Sequence, residues 1–315
     1  MNAFHPDLRV GRFIPRFSIG PRLTWLANRP SLPRGERPED MLIEDVEVPG
    51  PAGAGPVPVR VYRPRTVRGQ APVLLWLHGG GMVLGNHAQD ERTNLDFART
   101  LGITVVSVGY RLAPEHPAPA ALEDAYVAYA WLVEQAVEQG IDVERIAVGG
   151  ASAGGGLAAG LALMIRDRGG PQPAFQLLVY PMLDDRTVLR DDVDTTNLRV
   201  WLPGSNRFGW TAYLGEMPGG PDVSPYAAPA RSTDLSGLPP AWIGVGTLDL
   251  FHDEDVTYAE RLEKAGVLCA LDVVPGAFHG FDAFFAKKEV SREFWRSQAR
   301  ALDVALFPDQ GRLRR

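Results

Sequence analysis

The stretch Arg145-Ile-Ala-Val-Gly-Gly-Ala-Ser-Ala-Gly-Gly-Gly156 decides the fold of this chain. Its first four residues suit a buried strand, and the run 156–167 suits a helix, with Ser152 between the two. Gly150 and Gly154 lie two residues on either side of Ser152, where the lack of a Cβ lets strand and helix approach closely. The stretch therefore predicts a strand, a sharp turn and a helix, with the Ser152 hydroxyl exposed above the strand end as a candidate nucleophile.

Apolar runs on both sides of this stretch alternate with helix-compatible segments. Ile43–Val48 and Val57–Tyr62 alternate between apolar and polar residues, and the Pro/Gly-rich segment between them predicts an opening hairpin. Continuous apolar runs predict six further strands that are buried on both faces. These runs are Val73–Leu77, Ile103–Val108, Arg145–Val148, Phe175–Tyr180, Ala241–Val245 and Leu271–Val274. Because helices lie between them, the sequence predicts an α/β fold with a mostly parallel eight-stranded sheet.

Two segments break this rhythm and predict a helical cap. Residues 1–44 carry aromatic side chains with nothing obvious to cover. These are Phe13, Phe17 and Trp25. Residues 185–225 are irregular and rich in Pro and Gly, but their aromatic residues argue against disorder. We therefore predict that these two segments fold together over a core formed by residues 45–184 and 226–315.

Composition and charge exclude several classes of protein. The 315 residues are 45% hydrophobic, which is enough to fill one large core. A net charge of -6 opposes a nucleic-acid partner, because no basic stripe is available to neutralise phosphates. The single cysteine, Cys269, cannot build a disulfide framework or a thiolate metal site. No apolar run reaches membrane-spanning length and no signal peptide is apparent, so we expect no stable membrane insertion and a cytoplasmic protein.

A serine nucleophile needs a histidine base and a carboxylate that orients the base. His279 lies in a glycine-flanked loop directly after the last predicted strand. Asp249 follows the seventh predicted strand, and we prefer it to Asp184, which also follows a strand. Residues 253–255 are assigned to the first turn of the next helix, where carboxylates interact favourably with the helix dipole. Ser152, Asp249 and His279 are therefore the candidate catalytic residues.

A glycine-rich loop after the strand Val73–Leu77 is the candidate oxyanion hole. It reads His78-Gly-Gly-Gly81. Residues without a Cβ let backbone N–H groups turn towards a substrate oxygen, and each such donor contributes roughly 100-fold to 1,000-fold in rate. We assign the amides of Gly79 and Gly80 as donors, together with that of Ala153.

These elements agree in their order along the chain and in their positions at strand ends. The chain resembles the hormone-sensitive-lipase-like group of α/β-hydrolases, also called bacterial family IV esterases, over residues 45–285. The resemblance rests on His78-Gly-Gly-Gly81, Tyr110-Arg-Leu-Ala-Pro-Glu-His-Pro117, Gly150-Ala-Ser-Ala-Gly-Gly155, Tyr180-Pro-Met-Leu-Asp184, Asp249 and Phe278-His-Gly280. It implies an α/β-hydrolase fold with a helical cap and carboxylesterase activity on short- to medium-chain acyl esters, without a cofactor.

One residue departs from the pattern of this group. Its elbow usually reads Gly-Asp-Ser-Ala-Gly-Gly, or has Thr before the serine, whereas this chain has Ala151. The nucleophile itself is retained, so the departure bears on the subfamily and on acyl preference. Phe13, Phe17, Trp201 and Trp210 are candidates to line the substrate pocket.

Two other patterns in the sequence resemble ligand sites, and both have a simpler structural explanation. Gly154–Ala159 loosely fits a dinucleotide motif, but it follows Ser152 into an Ala/Leu-rich helix, where small residues serve packing. The pairs Asp184-Asp185 and Asp191-Asp192 lack histidine partners, so we predict a solvated loop there and no metal site.

Two other functions share this fold. A non-catalytic binding module of the same family is disfavoured because the chain keeps serine, acid and histidine together. An amidase stays open, since the same triad serves both reactions. A small-molecule ester is the expected partner, and a homodimer is a possible assembly.

Overall fold

Eight strands form one sheet in the computed structural model, which describes residues 3–21, 24 and 38–308. The sheet order is β1-β2-β4-β3-β5-β6-β7-β8. The strands are β1 Met41–Val48, β2 Val57–Pro64, β3 Ala71–Leu77, β4 Thr104–Val108, β5 Ile141–Ala151, β6 Phe175–Val179, β7 Ala241–Leu248 and β8 Cys269–Phe278. β2 pairs antiparallel with both β1 and β4, and every other pairing is parallel. The predicted mostly parallel eight-stranded sheet is confirmed.

Helices follow most strands, as the alternating pattern predicts. The α-helices are α1 Glu91–Leu101, α2 Ala120–Glu134, α3 Ala136–Gln139, α4 Ala153–Arg168, α5 Pro203–Leu214, α6 His252–Lys264, α7 Phe281–Phe284 and α8 Glu289–Leu306. Short 3-10 helices occupy Pro6–Phe13, Asp185–Leu189 and Pro229–Arg231. Within the part of the chain that the structure describes, no helix is long and apolar enough to cross a membrane.

The helix after Ser152 begins earlier than its sequence suggests. We predicted a start at Gly156, but α4 starts at Ala153 and its first turn contains Gly154 and Gly155. A Cβ on Gly154 would clash with the carbonyl of Leu77 at the end of β3. The glycines therefore do not break the helix, since they are what lets it pack against the sheet.

The core has two layers, one on each face of the sheet. Successive residues of β3 alternate between them, because side chains along a strand point to opposite faces. Val73, Leu75 and Leu77 join the layer that contains α2, α4 and α6. Leu74 and Trp76 join the layer that contains α1 and α8. Burial on both faces explains why this strand is continuously apolar.

The N-terminal segment contacts the segment between β6 and β7. The Arg16 guanidinium donates to the carbonyl of Thr195 at 2.7 Å, and the Ile19 amide donates to Ser205 Oγ at 2.8 Å. Trp25, one of the predicted cap aromatics, lies outside the described residues. A composite cap with boundaries at residues 44, 184 and 225 stays a prediction, and of these boundaries residue 44 lies within β1.

One acidic pair differs from its predicted solvated state. Asp185 is fully buried, and its carboxylate pairs with the Arg231 guanidinium at 2.5 Å and accepts the Gly219 amide at 2.5 Å. The prediction of a solvated loop is therefore wrong for Asp185. An arginine 46 residues further along the chain supplies the missing countercharge, which the local sequence around Asp185 does not show.

Candidate active site

The turn between β5 and α4 holds Ser152 in an unusual backbone conformation. Its φ and ψ angles are 55° and -119°, in a region that residues other than glycine seldom adopt. The Ser152 amide donates to the carbonyl of Val179 at 2.8 Å, which ties the turn to β6. A Cβ on Gly150 would lie only 2.5 Å from the Gly154 backbone. The two glycines thus permit the sharp turn, as their spacing predicts.

A chain of hydrogen bonds links the three candidate catalytic side chains. Ser152 Oγ lies 2.9 Å from His279 Nε2, and His279 Nδ1 lies 2.8 Å from Asp249 Oδ2. An ionised carboxylate only accepts hydrogen bonds, so beside it Nδ1 carries the proton and Nε2 is left to accept from the serine. All three residues are buried, with 5–6% of their surface exposed. This arrangement is suited to removing a proton from Ser152.

The two aspartates considered for the acid differ clearly in their surroundings. Asp249 contacts His279, and its other oxygen accepts the Phe251 amide at 3.0 Å. Asp184 instead binds the exposed Arg186 guanidinium, at 2.7 and 2.8 Å. The structure therefore brings Asp249, and not Asp184, to the histidine.

Aromatic rings surround His279. The ring of Tyr180 lies edge-on to the imidazole with centroids 4.8 Å apart, and the ring of Phe251 does the same at 5.2 Å. The Tyr180 hydroxyl donates to Asp282 Oδ1 at 2.9 Å. Neither Tyr180 nor Phe251 is among the site residues predicted from the sequence. Their positions, at the end of β6 and two residues after Asp249, were the available signal.

The glycine loop after β3 lies beside the serine. A Cβ on Gly79 would be 3.6 Å from that of Ser152 and 3.1 Å from the carbonyl of Ala151. Gly80 has φ 127°, which favours glycine. Within the described chain, the Gly79 and Gly80 amides donate to no backbone atom, and Ala153 is at the first position of α4, where the N–H has no partner within the helix. The assignment of these three amides to an oxyanion hole stays a prediction.

His78, the first residue of this loop, is held in place by Tyr110. Its ring stacks on that of Tyr110 at 4.1 Å, and the Tyr110 hydroxyl donates to the His78 carbonyl at 2.6 Å. Complete burial lowers the pKa of His78 to about 4. The imidazole is therefore neutral at physiological pH, which suits a structural role and not one as a base.

The four predicted pocket residues occupy different environments. Trp201 is buried, with its ring centroid 6.4 Å from that of His279. Trp210 is fully buried in α5, where its ring packs 6.2 Å from that of Tyr213. Phe13 and Phe17 are 68% and 59% exposed. The structure thus brings Trp201 to the candidate triad. A pocket role for the other three stays a prediction.

Glu254 links α6 to the loop that follows β6. The first-turn position predicted for residues 253–255 is confirmed, but Glu254 is buried and does more than interact with the helix dipole. Its Oε1 accepts the Leu183 amide at 2.7 Å and the Asp184 amide at 3.1 Å, and its Oε2 accepts the Thr187 hydroxyl. Glu254 therefore joins α6, the helix that follows Asp249, to the loop at Leu183 and Asp184, where the predicted cap segment begins.

Replacing Glu254 by Gln should remove part of the pH dependence of stability. Burial raises the pKa of Glu254 from 4.5 to about 8, so between these values the folded protein holds a proton that the unfolded chain releases. This contribution to the free energy of unfolding therefore declines as pH rises from 4.5 to 8, by on the order of a few kcal/mol. The glutamine of Glu254→Gln cannot ionise, so the free energy of unfolding of this variant should fall less between pH 5 and pH 8.5 than that of the wild type. Denaturant titrations at the two pH values measure the difference.

Glu260→Gln is the matched control, because Glu260 lies on the same helix with 58% of its side chain exposed. It should retain the pH slope of the wild type. Equal slopes for the wild type and Glu254→Gln would contradict the proposed ionisation.

Known proteins that are similar to this chain share its fold. Residues 74–283 match a family described as having the alpha/beta hydrolase fold. The chain is 38% identical over 281 residues to "Esterase LipI" of Mycobacterium tuberculosis H37Rv, covering 87% of this chain and 86% of that protein. The chain belongs to the α/β-hydrolase family. The predicted hormone-sensitive-lipase-like membership is confirmed.

Other relatives of this α/β-hydrolase agree. "Carboxylesterase NlhH" of M. tuberculosis H37Rv is 39% identical over 257 residues, which cover 78% of this chain and 77% of that protein. A solved structure titled "Bacterial Heroin Esterase" has a TM-score of 0.87 and 36% identity, covering 96% of this chain and 98% of its own. The likeness thus extends over nearly the whole chain.

Two alternative ligand sites are not supported by the geometry of this α/β-hydrolase. Gly154 and Gly156 face the backbone of Leu77 and Met182, so they serve helix packing and not a dinucleotide. The described residues contain no cluster of three or more His, Cys, Asp or Glu that could hold a metal ion.

Proposed function

We propose that this chain is a serine carboxylesterase that hydrolyses short- to medium-chain acyl esters through Ser152, His279 and Asp249. The observation that carries the proposal is the continuous hydrogen-bonded chain from Ser152 Oγ through the imidazole to the Asp249 carboxylate. Relatives named esterase and carboxylesterase support the same class. The chain is thus a carboxylic ester hydrolase, and a non-catalytic binding module is not favoured.

In the first half of the reaction, His279 Nε2 takes the proton of Ser152 as Oγ attacks the ester carbonyl carbon. The carbonyl oxygen becomes an oxyanion, which accepts from the amides of Gly79, Gly80 and Ala153. The protonated His279 then gives its proton to the alcohol oxygen as the C–O bond breaks. An acyl-serine and a free alcohol result.

In the second half, water takes the place of the alcohol. His279 removes a proton from the water as it attacks the acyl carbon, and it then returns that proton to Ser152 Oγ as the carboxylic acid leaves. Asp249 keeps the ring oriented and stabilises the imidazolium in both halves. The strained turn at Ser152 positions the nucleophile at the end of β5.

The acyl range is tested with p-nitrophenyl esters from acetate to palmitate. We expect kcat/KM to peak at short or medium chains and to fall steeply for the longest ones, because the cap encloses the site: Ser152, His279 and Trp201 are each no more than 6% exposed. A rate that rises steadily to palmitate would contradict the proposed range. Turnover of the matching anilides but not of the esters would favour an amidase.

Three further properties belong to this proposal. The cap is formed by described residues that precede β1, which starts at Met41, and by residues 185–225, and it supplies the walls of the substrate site. The enzyme works in the cytoplasm on small-molecule esters. A homodimer is a possible assembly, which light scattering of the purified protein would test.

A further inference from the structure

The segment Arg199-Val200-Trp201 makes a tight turn directly over the candidate active site. The Trp201 amide donates to the Arg199 carbonyl at 2.8 Å, and Val200 between them has φ 68°. This is a γ-turn with positive φ, a rare and strained conformation, and it is more costly at a β-branched residue. Strain of this kind persists only where the surrounding contacts hold it in place.

The indole of Trp201 lies between the glycine loop after β3 and the imidazole of His279. It occupies the space where a Cβ on Gly81 would lie, beside the oxyanion loop, and its ring is 6.4 Å from that of His279. Its Nε1 donates to Asn206 Oδ1 at 3.2 Å, which fixes the ring against α5. With 4% of its surface exposed, Trp201 is a fixed wall and not a mobile surface side chain.

Arg199 holds the turn from the other side. Its guanidinium donates to the carbonyl of Leu198 at 2.7 Å and to that of Arg12 at 2.9 Å, and it lies 5.2 Å above the Phe4 ring. Among the described residues its partners are backbone carbonyls and this ring, and none is a carboxylate. Arg199 is 92% buried and meets no countercharge within the part of the chain that the structure describes, so its burial is costly.

Phe4, the ring beneath Arg199, also contacts the loop that carries His279. The Phe4 ring packs edge-on against that of Phe278, the residue before His279, with centroids 6.1 Å apart. Arg199 therefore connects the N-terminal segment, the turn at Val200 and the support of the catalytic histidine.

We propose that Trp201 limits the size of the alcohol half of the ester, and that Arg199 is the positioning residue that keeps Trp201 in place. This inference rests on the proposed function. His279 Nε2 must reach the alcohol oxygen to protonate it, so groups attached to that oxygen lie beside the imidazole. The ring of Trp201 lies beside the imidazole, with centroids 6.4 Å apart. The preferred substrates are therefore esters of small, unbranched alcohols.

The test compares two substrate series in the full-length enzyme. One series keeps butyrate and varies the alcohol from ethyl to cyclohexyl and benzyl; the other keeps p-nitrophenol and varies the acyl chain. Trp201→Ala should raise the benzyl-to-ethyl ratio of kcat/KM by about 10-fold or more and leave the acyl profile unchanged. Trp201→Phe should give a smaller shift and protects the test against misfolding of the alanine variant.

Arg199→Met should reproduce the same change of alcohol selectivity. In the double variant the two effects should not add, because both act through the position of one side chain. Arg207→Met is the matched control, since Arg207 also lies in the cap segment and donates to a backbone carbonyl, that of Val188, at 2.9 Å. It should keep the wild-type ratio. A selectivity ratio is insensitive to the loss of folded protein, which a merely structural role would cause.

Several results would overturn the inference. If Trp201→Ala changed the kcat/KM ratios only in the acyl series, Trp201 would contact the acyl half of the ester. If the ratios were unchanged in both series, Trp201 would not determine substrate specificity. Additive effects in the double variant would separate Arg199 from Trp201. Failure of the proposed function is distinguishable, because the wild type would then hydrolyse no ester in a Ser152-dependent way.

Discussion

Ser152→Ala should lower kcat for ester hydrolysis by on the order of 10⁶-fold, to the rate of the uncatalysed reaction plus the contribution of the oxyanion donors. The variant lacks the oxygen that attacks the carbonyl, so no acyl-enzyme forms. Its fold should remain intact, because alanine keeps the Cβ and meets the same backbone strain at φ 55° that serine does. The change in free energy of unfolding should stay within about 1 kcal/mol. Single-turnover kinetics and denaturant titration measure the two quantities.

Ser291→Ala provides the matched control. Ser291 is 3% exposed, against 6% for Ser152, and it lies in α8, outside the hydrogen-bonded chain of the three candidate catalytic residues. Its replacement should leave kcat/KM within about 2-fold, as expected for a buried change outside the site. Retention of substantial activity in Ser152→Ala would mean that another group is the nucleophile.

Asp249→Asn should lower kcat by on the order of 10⁴-fold, the scale known for such a change in a serine protease triad. The asparagine NH₂ can donate to Nδ1, which favours the wrong imidazole tautomer and leaves Nε2 carrying the proton. His279 then cannot accept from Ser152, which lies 2.9 Å away. Since Asn is nearly isosteric with Asp and can still accept the Phe251 amide, the fold should be retained.

Asp184→Asn is the matched control for this change. Its carboxylate binds the exposed Arg186, and exposed ion pairs contribute only about 0–1 kcal/mol. Activity should therefore fall by less than about 3-fold. A larger loss in Asp184→Asn than in Asp249→Asn would reverse the assignment of the acid. Initial rates on p-nitrophenyl butyrate at several pH values measure both variants.

Local patterns in the sequence predicted much of the sheet and the candidate triad. β3 is apolar at every position because both faces are covered, and this signal is visible in seven consecutive residues. His279 and Asp249 follow strands that end at the same edge of the sheet, so their order and loop positions were enough to bring them together. Each inference used only near neighbours and the regular geometry of parallel strands.

Features that depend on distant partners were not predictable in this way. Glu254 looks like an ordinary residue of a helix first turn until the loop at Leu183 is placed against it. The local sequence around Asp185 predicts a solvated carboxylate, because its partner Arg231 is distant in the chain. Trp201 was a candidate among several aromatics, and nothing local singles it out. Its importance depends on the backbone angle at Val200 and the buried Arg199, which only the assembled chain shows.

The identity of the nucleophile is tested most directly by covalent labelling. Diethyl p-nitrophenyl phosphate reacts with an activated serine when Oγ attacks phosphorus and p-nitrophenolate leaves. We predict one diethylphosphoryl group per chain, on the tryptic peptide 146–166 that contains Ser152, with loss of activity in proportion to labelling. Mass spectrometry of the intact protein and of its peptides measures both. Complete loss of activity with the label on any other residue, or activity that persists after Ser152 is labelled, would contradict the proposed mechanism.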